Sequence, residues 1–364
     1  MTWVAAGPHV SRRTVLTGAL AGVAGAGIGT GATALVDARA VPGKPMVTPF
    51  YGTHQSGIVT EPLPYLSLAG FDVVSQTRSE LANLMRTWTR TAAELTSAGE
   101  LTVTFGFGPS LFTDSRFGLA GQFPAALTPL PPFAGESLEQ RASDGALCVQ
   151  ACATSPTGAH QAVRTLCQAA RPQAALRWRQ TGFRAQDATA DPPGMFGFRD
   201  GTANLDVADA AATARHLWVG DGPSWLHAGT YLVVRRIRLL LDTWDRTDVA
   251  AQEAIIGRTR ETNVRIDTAA GSHVALARPE NNGGATLLRR SFSYDAGADP
   301  NGLLDSGLIF MCFQQDPRQA FVPIQRRLAG TDSLGGFSQH VASGLFAVPP
   351  GCAEDSWIGE ELLS

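Results

Sequence analysis

Three stretches of the chain gather side chains able to do chemistry. The first is Gly194-Met195-Phe196-Gly197-Phe198-Arg199-Asp200-Gly201-Thr202-Ala203-Asn204, in which Gly197 and Gly201 bracket an acid. Glycine lets a backbone turn tightly and approach a flat ligand closely. An acid in such a turn reads either as a proton shuttle or as a cap on its own backbone. The stretch lacks the Gly-Lys-Ser/Thr ending of a phosphate loop. The second is Ser272-His273-Val274-Ala275-Leu276-Ala277-Arg278-Pro279, where His273 opens a short apolar run. A lone histidine there is either structural or a ligand. The third, Leu288-Arg289-Arg290-Ser291, puts arginine into strand-like sequence. A buried arginine needs an anionic partner, which can be a ligand or a reaction intermediate. No Cys/His cluster has zinc spacing and no Gly-x-Ser-x-Gly nucleophile elbow occurs. Cys148 and Cys152 lie four apart in strand-like sequence, where they share a face and read as core.

The elements that must position these residues follow a repeating order. Leu68–Val74 reads as a strand, and Ser79–Leu95 as an amphipathic helix with Leu81, Leu84, Met85, Trp88, Ala92 and Leu95 on one face. Strands over Leu101–Phe107 and Ala146–Cys152 follow, separated by a proline-rich, loop-like stretch at 108–145. A helix over His160–Ala169 and a strand over Ala175–Phe183 complete a βαββαβ unit. The order recurs as Thr230–Leu241 (strand), Asp248–Ile256 (helix), Thr286–Ser293 and Gly307–Phe313 (strands), Arg318–Leu328 (helix) and Gly344–Val348 (strand). Two βαββαβ units predict an α+β fold of two ferredoxin-like halves, each packing helices on one face of an antiparallel sheet. The halves are placed at 41–205 and 206–364. Segments 184–229 and 257–285 break the pattern and are rich in Gly, Asp, Asn and Arg. Loops carried on a rigid scaffold are where chemistry tends to sit.

The first forty residues read differently. Arg12-Arg13 precedes an uncharged Ala/Gly/Leu/Val run to about Val36, and Ala38-Arg39-Ala40 offers a small-x-small cleavage site. Basic start, apolar middle and small exit predict an export signal over 1–40, and the arginine pair predicts the twin-arginine route. The run is too weakly apolar to favour a stable membrane anchor. The expected location is extracytoplasmic: secreted, periplasmic or cell-wall associated. That route carries folded proteins, often with a cofactor inserted. The whole chain has 364 residues, 44% hydrophobic and 17% charged, which excludes disorder and supplies a core. A formal net charge of -3 argues against a nucleic-acid binder that relies on bulk positive charge. Five cysteines in so long a chain are not a disulfide scaffold.

Taken together, these stretches resemble the dye-decolourising peroxidase family, in its exported class. The resemblance runs from Phe50-Tyr51-Gly52-Thr53-His54-Gln55-Ser56-Gly57-Ile58, through Gly197-Phe198-Arg199-Asp200-Gly201 and Gly229–Arg238 with Trp244-Asp245-Arg246, to Gly344–Gly351. It implies the dimeric α+β barrel type of haem protein, two ferredoxin-like halves around one non-covalent haem b. It implies a peroxidase that uses hydrogen peroxide to oxidise dyes, phenols or other one-electron donors. The alternative it leaves is a haem-binding, iron-release protein whose peroxidase chemistry is incidental. Residue by residue, His273 matches the proximal iron ligand, Asp200 the distal acid and Arg289 the distal arginine, with Arg290 leaving the register open by one. Ser291 matches a distal Ser/Asn position, Asp332 the acid that hydrogen-bonds the proximal histidine, and Arg199 a basic residue that meets a haem propionate. His340 is a rival ligand, while His54, His160, His216 and His227 read as structural. Bulky dyes cannot enter a tight pocket, so Trp218, Trp225, Trp244, Tyr231 and Tyr294 are candidates for surface electron transfer, or simply core. Expected partners are peroxide, an aromatic donor and the twin-arginine translocase, with no nucleic acid and no stable span in the mature chain.

Overall fold

A computed structural model describes residues 48–185, 193–199 and 203–364. The leader residues Arg12, Arg13, Ala38 and Ala40, and the acid Asp200, lie outside the described residues. The strands are β1 (Tyr65–Val73), β2 (Leu101–Phe107), β3 (Leu147–Ala153), β4 (Ala174–Phe183), β5 (Thr230–Leu239), β6 (Leu288–Arg289), β7 (Phe292–Ala298), β8 (Leu304–Gln314) and β9 (Ser338–Val348). Their order is β5-β9-β2-β3-β1-β4-β7-β8-β6, and β5 also pairs with β8, so the sheet closes on itself as a barrel. Within it, β4-β1-β3-β2 and β9-β5-β8-β7 are two ferredoxin-like sheets. They meet through short contacts, Phe107 opposite Ala347 and Phe183 opposite Ser293.

Alternation along the strands divides the core into an inside and an outside. Leu66, Leu68, Leu232, Val234, Met311 and Phe313 belong to one cluster that fills the barrel. Cys148 and Cys152 join it as free thiols, and burial pushes the Cys152 thiol up to about 11. The outer face carries the helices. Arg78–Thr96 starts at a capping box between Thr77 and Glu80, worth about 1 kcal/mol. It buries Leu81, Leu84, Met85, Trp88 and Ala92 as the periodicity predicts. Trp88 stacks on Phe105 of β2 and donates its indole N–H to the Leu166 carbonyl of the helix Pro156–Ala169. Each fully buried large apolar side chain of this layer contributes roughly 1.5–3 kcal/mol.

Two expectations change. The stretch 108–145 is not plain loop: it holds a short helix at Pro109–Thr113 and several single turns. Residues 137–144 run beside β9, with Ser137, Glu139 and Asp144 N–H groups donating to its carbonyls. The strand expected over Thr286–Ser293 is split into β6 and β7. Its break lies at Arg290, whose guanidinium turns away to the carbonyls of Ile58, Thr60 and Glu61. Among the described residues no helix is long and apolar enough to cross a membrane.

Candidate active site

His273 opens the short helix His273–Ala277, capped by Ser272, whose Oγ accepts from the Ala275 N–H at 3.3 Å. That cap needs a close approach: Gly257 ends the helix Val249–Ile256 at φ +90°, and a Cβ there would overlap the Ser272 hydroxyl. Asp332 closes the helix Phe321–Thr331 and opens the single turn Ser333–Phe337. Its two carboxylate oxygens have separate tasks. Oδ1 accepts from the Leu334 N–H at 2.9 Å, and Oδ2 lies 2.6 Å from His273 Nδ1. Asp332 is 6% exposed and His273 33%. With Nδ1–H donated to the carboxylate, the lone pair of Nε2 is left for a metal.

The sheet under this helical layer presents a defined row. Residues directly opposite in a ladder share a face. Arg289 and Val233 both pair with Cys312, and Arg235 pairs with Phe310, so all five lie on the outer face. Arg290 points to the other side, 5% exposed, and burial pulls its guanidinium down to about 10, still charged at neutral pH. Of the two arginines, Arg289 is the one on the face that also carries Arg235, whose Nε donates to His340. Ser291 follows, half-buried between β6 and β7. Ile237, Leu308 and Phe310 of the sheet and Leu276, Ile324 and Leu328 of the helices are half-buried. Half-buried apolar side chains can be covered by a flat apolar ligand. Together with an imidazole whose Nε2 has no hydrogen bond among the described residues, they fit haem.

Residues 193–199 form a small turn, with Pro193 bridged to Arg199 and the Gly194 N–H donating to the Phe198 carbonyl. Gly197 is at φ +78°, and a Cβ there would meet the Arg260 guanidinium at 2.7 Å. Trp244 holds this turn. It is 1% exposed, donates Nε1–H to the Phe196 carbonyl, and packs on Phe196, Phe198 and also Phe337, at the end of the Asp332 turn. Trp244 is therefore core. So are Trp225, Tyr231 and Tyr294, at 2–3% exposure, which matches the core reading of the two that the sequence leaves open. Trp218 alone of the five is half-buried, stacked on His54 with centroids 3.6 Å apart. The His54 Nδ1 pairs with the Ala228 carbonyl, a structural role.

His340 has a different setting from His273. Its Nδ1 accepts from Arg235 Nε at 3.2 Å, and burial, with Arg235 and His273 nearby, holds the imidazole at about 3. Arg235, 1% exposed, is ion-paired with Glu136 and donates to Ser343 Oγ. Sequence reading missed this network. Its signal was Arg235 itself, a charge directly after the apolar run Tyr231-Leu232-Val233-Val234 in the same strand. Sequence reading also missed Asn204, whose side-chain amide pairs with both backbone groups of Arg289.

Comparison with known proteins agrees with this geometry. The family model for the N-terminal part of Dyp-type peroxidases matches residues 55–184, and that for the C-terminal part residues 191–353. The chain is 37% identical over 334 residues to a dye-decolorizing peroxidase of Thermobifida fusca, covering 79% of this chain and 76% of that one. It is 31% identical over 369 residues to a deferrochelatase of an Escherichia coli strain, covering 86% and 87%. Among solved structures, the oxyferrous complex of DtpA from Streptomyces lividans superposes with a TM-score of 0.84 at 37% identity, over 88% of this chain and 98% of that one. A DyP-type peroxidase from Streptomyces coelicolor gives 0.82 at 38% identity, over 88% and 98%.

Proposed function

The chain belongs to the Dyp-type peroxidase family and is a haem-dependent peroxidase, and we propose that His273 holds the iron, with Asp200 and Arg289 acting on peroxide opposite it. The observation that carries this is the 2.6 Å contact of His273 Nδ1 with Asp332, which orients the ring and frees Nε2. Haem, when bound, supplies the redox-active iron that takes up peroxide and withdraws electrons singly from the donor.

The remaining chemistry belongs to the side chains. Asp332 keeps His273 in one tautomer and raises its basicity as a ligand. Asp200 takes the proton from the inner oxygen of peroxide and returns it to the outer one as the O–O bond breaks. Arg289 stays protonated, so it can only donate hydrogen bonds to the negative charge that develops. Ser291, in the break between β6 and β7 two residues after Arg289, adds a hydroxyl for peroxide, and Arg199 pairs with a haem propionate. The halves carrying these residues are 41–205 and 206–364, after a twin-arginine signal over 1–40, so the mature enzyme works outside the cytoplasm. The reductants are hydrogen-donating aromatics, bulky ones meeting the half-exposed Trp218.

The test is the visible spectrum of purified protein before and after one equivalent of peroxide, followed by addition of a phenol or dye. A histidine-ligated ferric spectrum that changes with peroxide and returns with donor is expected. A second reading, release of iron from haem, is favoured by the resemblance to proteins named deferrochelatase. It predicts free protoporphyrin fluorescence after incubation with haem, without added peroxide.

A further inference from the structure

We propose that Asn204 is a positioning residue of the peroxide site, which sets the loop bearing Asp200 against the strand bearing Arg289. The inference rests on the roles given above to those two residues. Asn204 Oδ1 accepts from the Arg289 backbone N–H at 2.8 Å, and Asn204 Nδ2 donates to the Arg289 carbonyl at 2.9 Å. The side-chain amide thus pairs as a neighbouring strand would. It does so on an edge where no strand is paired among the described residues. β6 is the last strand of the sheet order, bonded on one side to β8. The N–H and C=O of Arg289 point away from β8, while those of Leu288 and Arg290 serve it, as the Arg290 N–H does by donating to the Met311 carbonyl. An edge left open at that point would be solvated and free to shift.

Asn204 follows Asp200 by four residues. The turn into it passes through Ala203 at φ 58°, a left-handed conformation that costs a non-glycine residue and persists only where the surroundings fix it. The two-point clamp is what fixes it. A carboxamide offers an acceptor and a donor side by side at every pH, as an amide backbone does. The clamp therefore joins the two halves of the catalytic pair through the backbone of one and the loop of the other, without touching peroxide itself. Misplacement by a fraction of an ångström to an ångström at such a site is enough to slow a reaction severely.

The experiment uses the haem-loaded enzyme and stopped-flow mixing with peroxide. Asn204→Ala is expected to keep haem content and the ferric spectrum while lowering the rate constant with peroxide about tenfold or more. Placed on top of Asp200→Ala, the same substitution is expected to add less than a twofold loss, because the loop then carries no acid to misplace. Asn204→Asp supplies a readout that a merely stabilising role would not move. Its neutral carboxyl can accept from the Arg289 N–H and donate to the Arg289 carbonyl, whereas its carboxylate can only accept. The ratio of its rate to that of the parent should rise towards one as pH falls through the carboxyl titration. A parental rate for Asn204→Ala overturns the proposal, as does an equal fold-loss with and without Asp200. If Asn204→Ala sheds haem, the Asn204→Asp ratio decides: pH-dependent supports the clamp, pH-independent refutes it. A parental rate for Asp200→Ala alone is a separate result, and removes the role of the acid rather than of Asn204.

Discussion

His273 and Asp332 are joined by a 2.6 Å contact between Nδ1 and Oδ2, across 59 residues of sequence. The carboxylate is nearly buried, and its other oxygen is committed to the turn that carries it. The ring therefore cannot rotate without breaking a charge-assisted hydrogen bond. Replacing Asp332 with asparagine leaves an acceptor but removes the charge, and so weakens the electron push from the ligand. Asp332→Asn should retain the fold and lose roughly ten- to a hundredfold in haem affinity or peroxide reactivity. Haem titration and peroxide kinetics of that variant check this.

The distal pair should divide its work unevenly. Asp200→Ala removes acid–base help, worth about a hundred- to ten-thousandfold, and should flatten the pH dependence of the reaction with peroxide. Arg289→Leu removes a charge donor, worth about a hundred- to a thousandfold, and should leave an acid-side titration in place. Both should still bind haem. Stopped-flow rates across pH separate them, and a parental rate for Asp200→Ala would pass the proton role to Arg289 with an ordered water.

His340 sets a pH dependence of stability. The folded protein holds its imidazole at about 3, below the ordinary 6.5, because it is buried beside Arg235. The unfolded chain takes up a proton as pH falls through about 6.5 while the folded chain does not. Stability is thus unaffected above that pH and is lost progressively from there towards about 3, on the order of 2 kcal/mol by pH 5. His340→Gln keeps an acceptor for Arg235 and removes the titration. Melting curves between pH 5 and 8 should show a smaller acid loss for this variant than for the parent, and equal losses would exclude His340 as the source.

Export should depend on the arginine pair. Replacing Arg12 and Arg13 together by lysine should leave the precursor inside the cell, and the parent should mature near Val41. Fractionation with N-terminal sequencing reads both, and normal export of the variant would remove the twin-arginine assignment.

Much of this architecture is legible in the sequence, because strands and amphipathic helices impose their own periods. Leu101–Phe107 and the apolar face of Arg78–Thr96 stand where alternation and the 3.6 repeat place them. The failures have local causes. Alternation does not reveal that the Arg290 guanidinium turns to the carbonyls of Ile58, Thr60 and Glu61 where one expected strand becomes two. Glu136 and Arg235 are 99 residues apart and meet only because the long insertion runs beside β9. Spacing shows His273 as a lone histidine; its partner Asp332 was visible only through the family resemblance. Asn204 was quoted at the end of a motif but given no role, since its partner is a backbone and not a side chain.

The central claim, that His273 carries the haem, is tested most directly by the ferric spectrum and haem content of His273→Ala beside those of His340→Ala, each purified after haem loading. The account predicts that His273→Ala loses haem or the histidine-ligated spectrum, while His340→Ala keeps an imidazole-ligated iron. An unchanged spectrum in His273→Ala, with loss in His340→Ala, would contradict it and move the iron to His340.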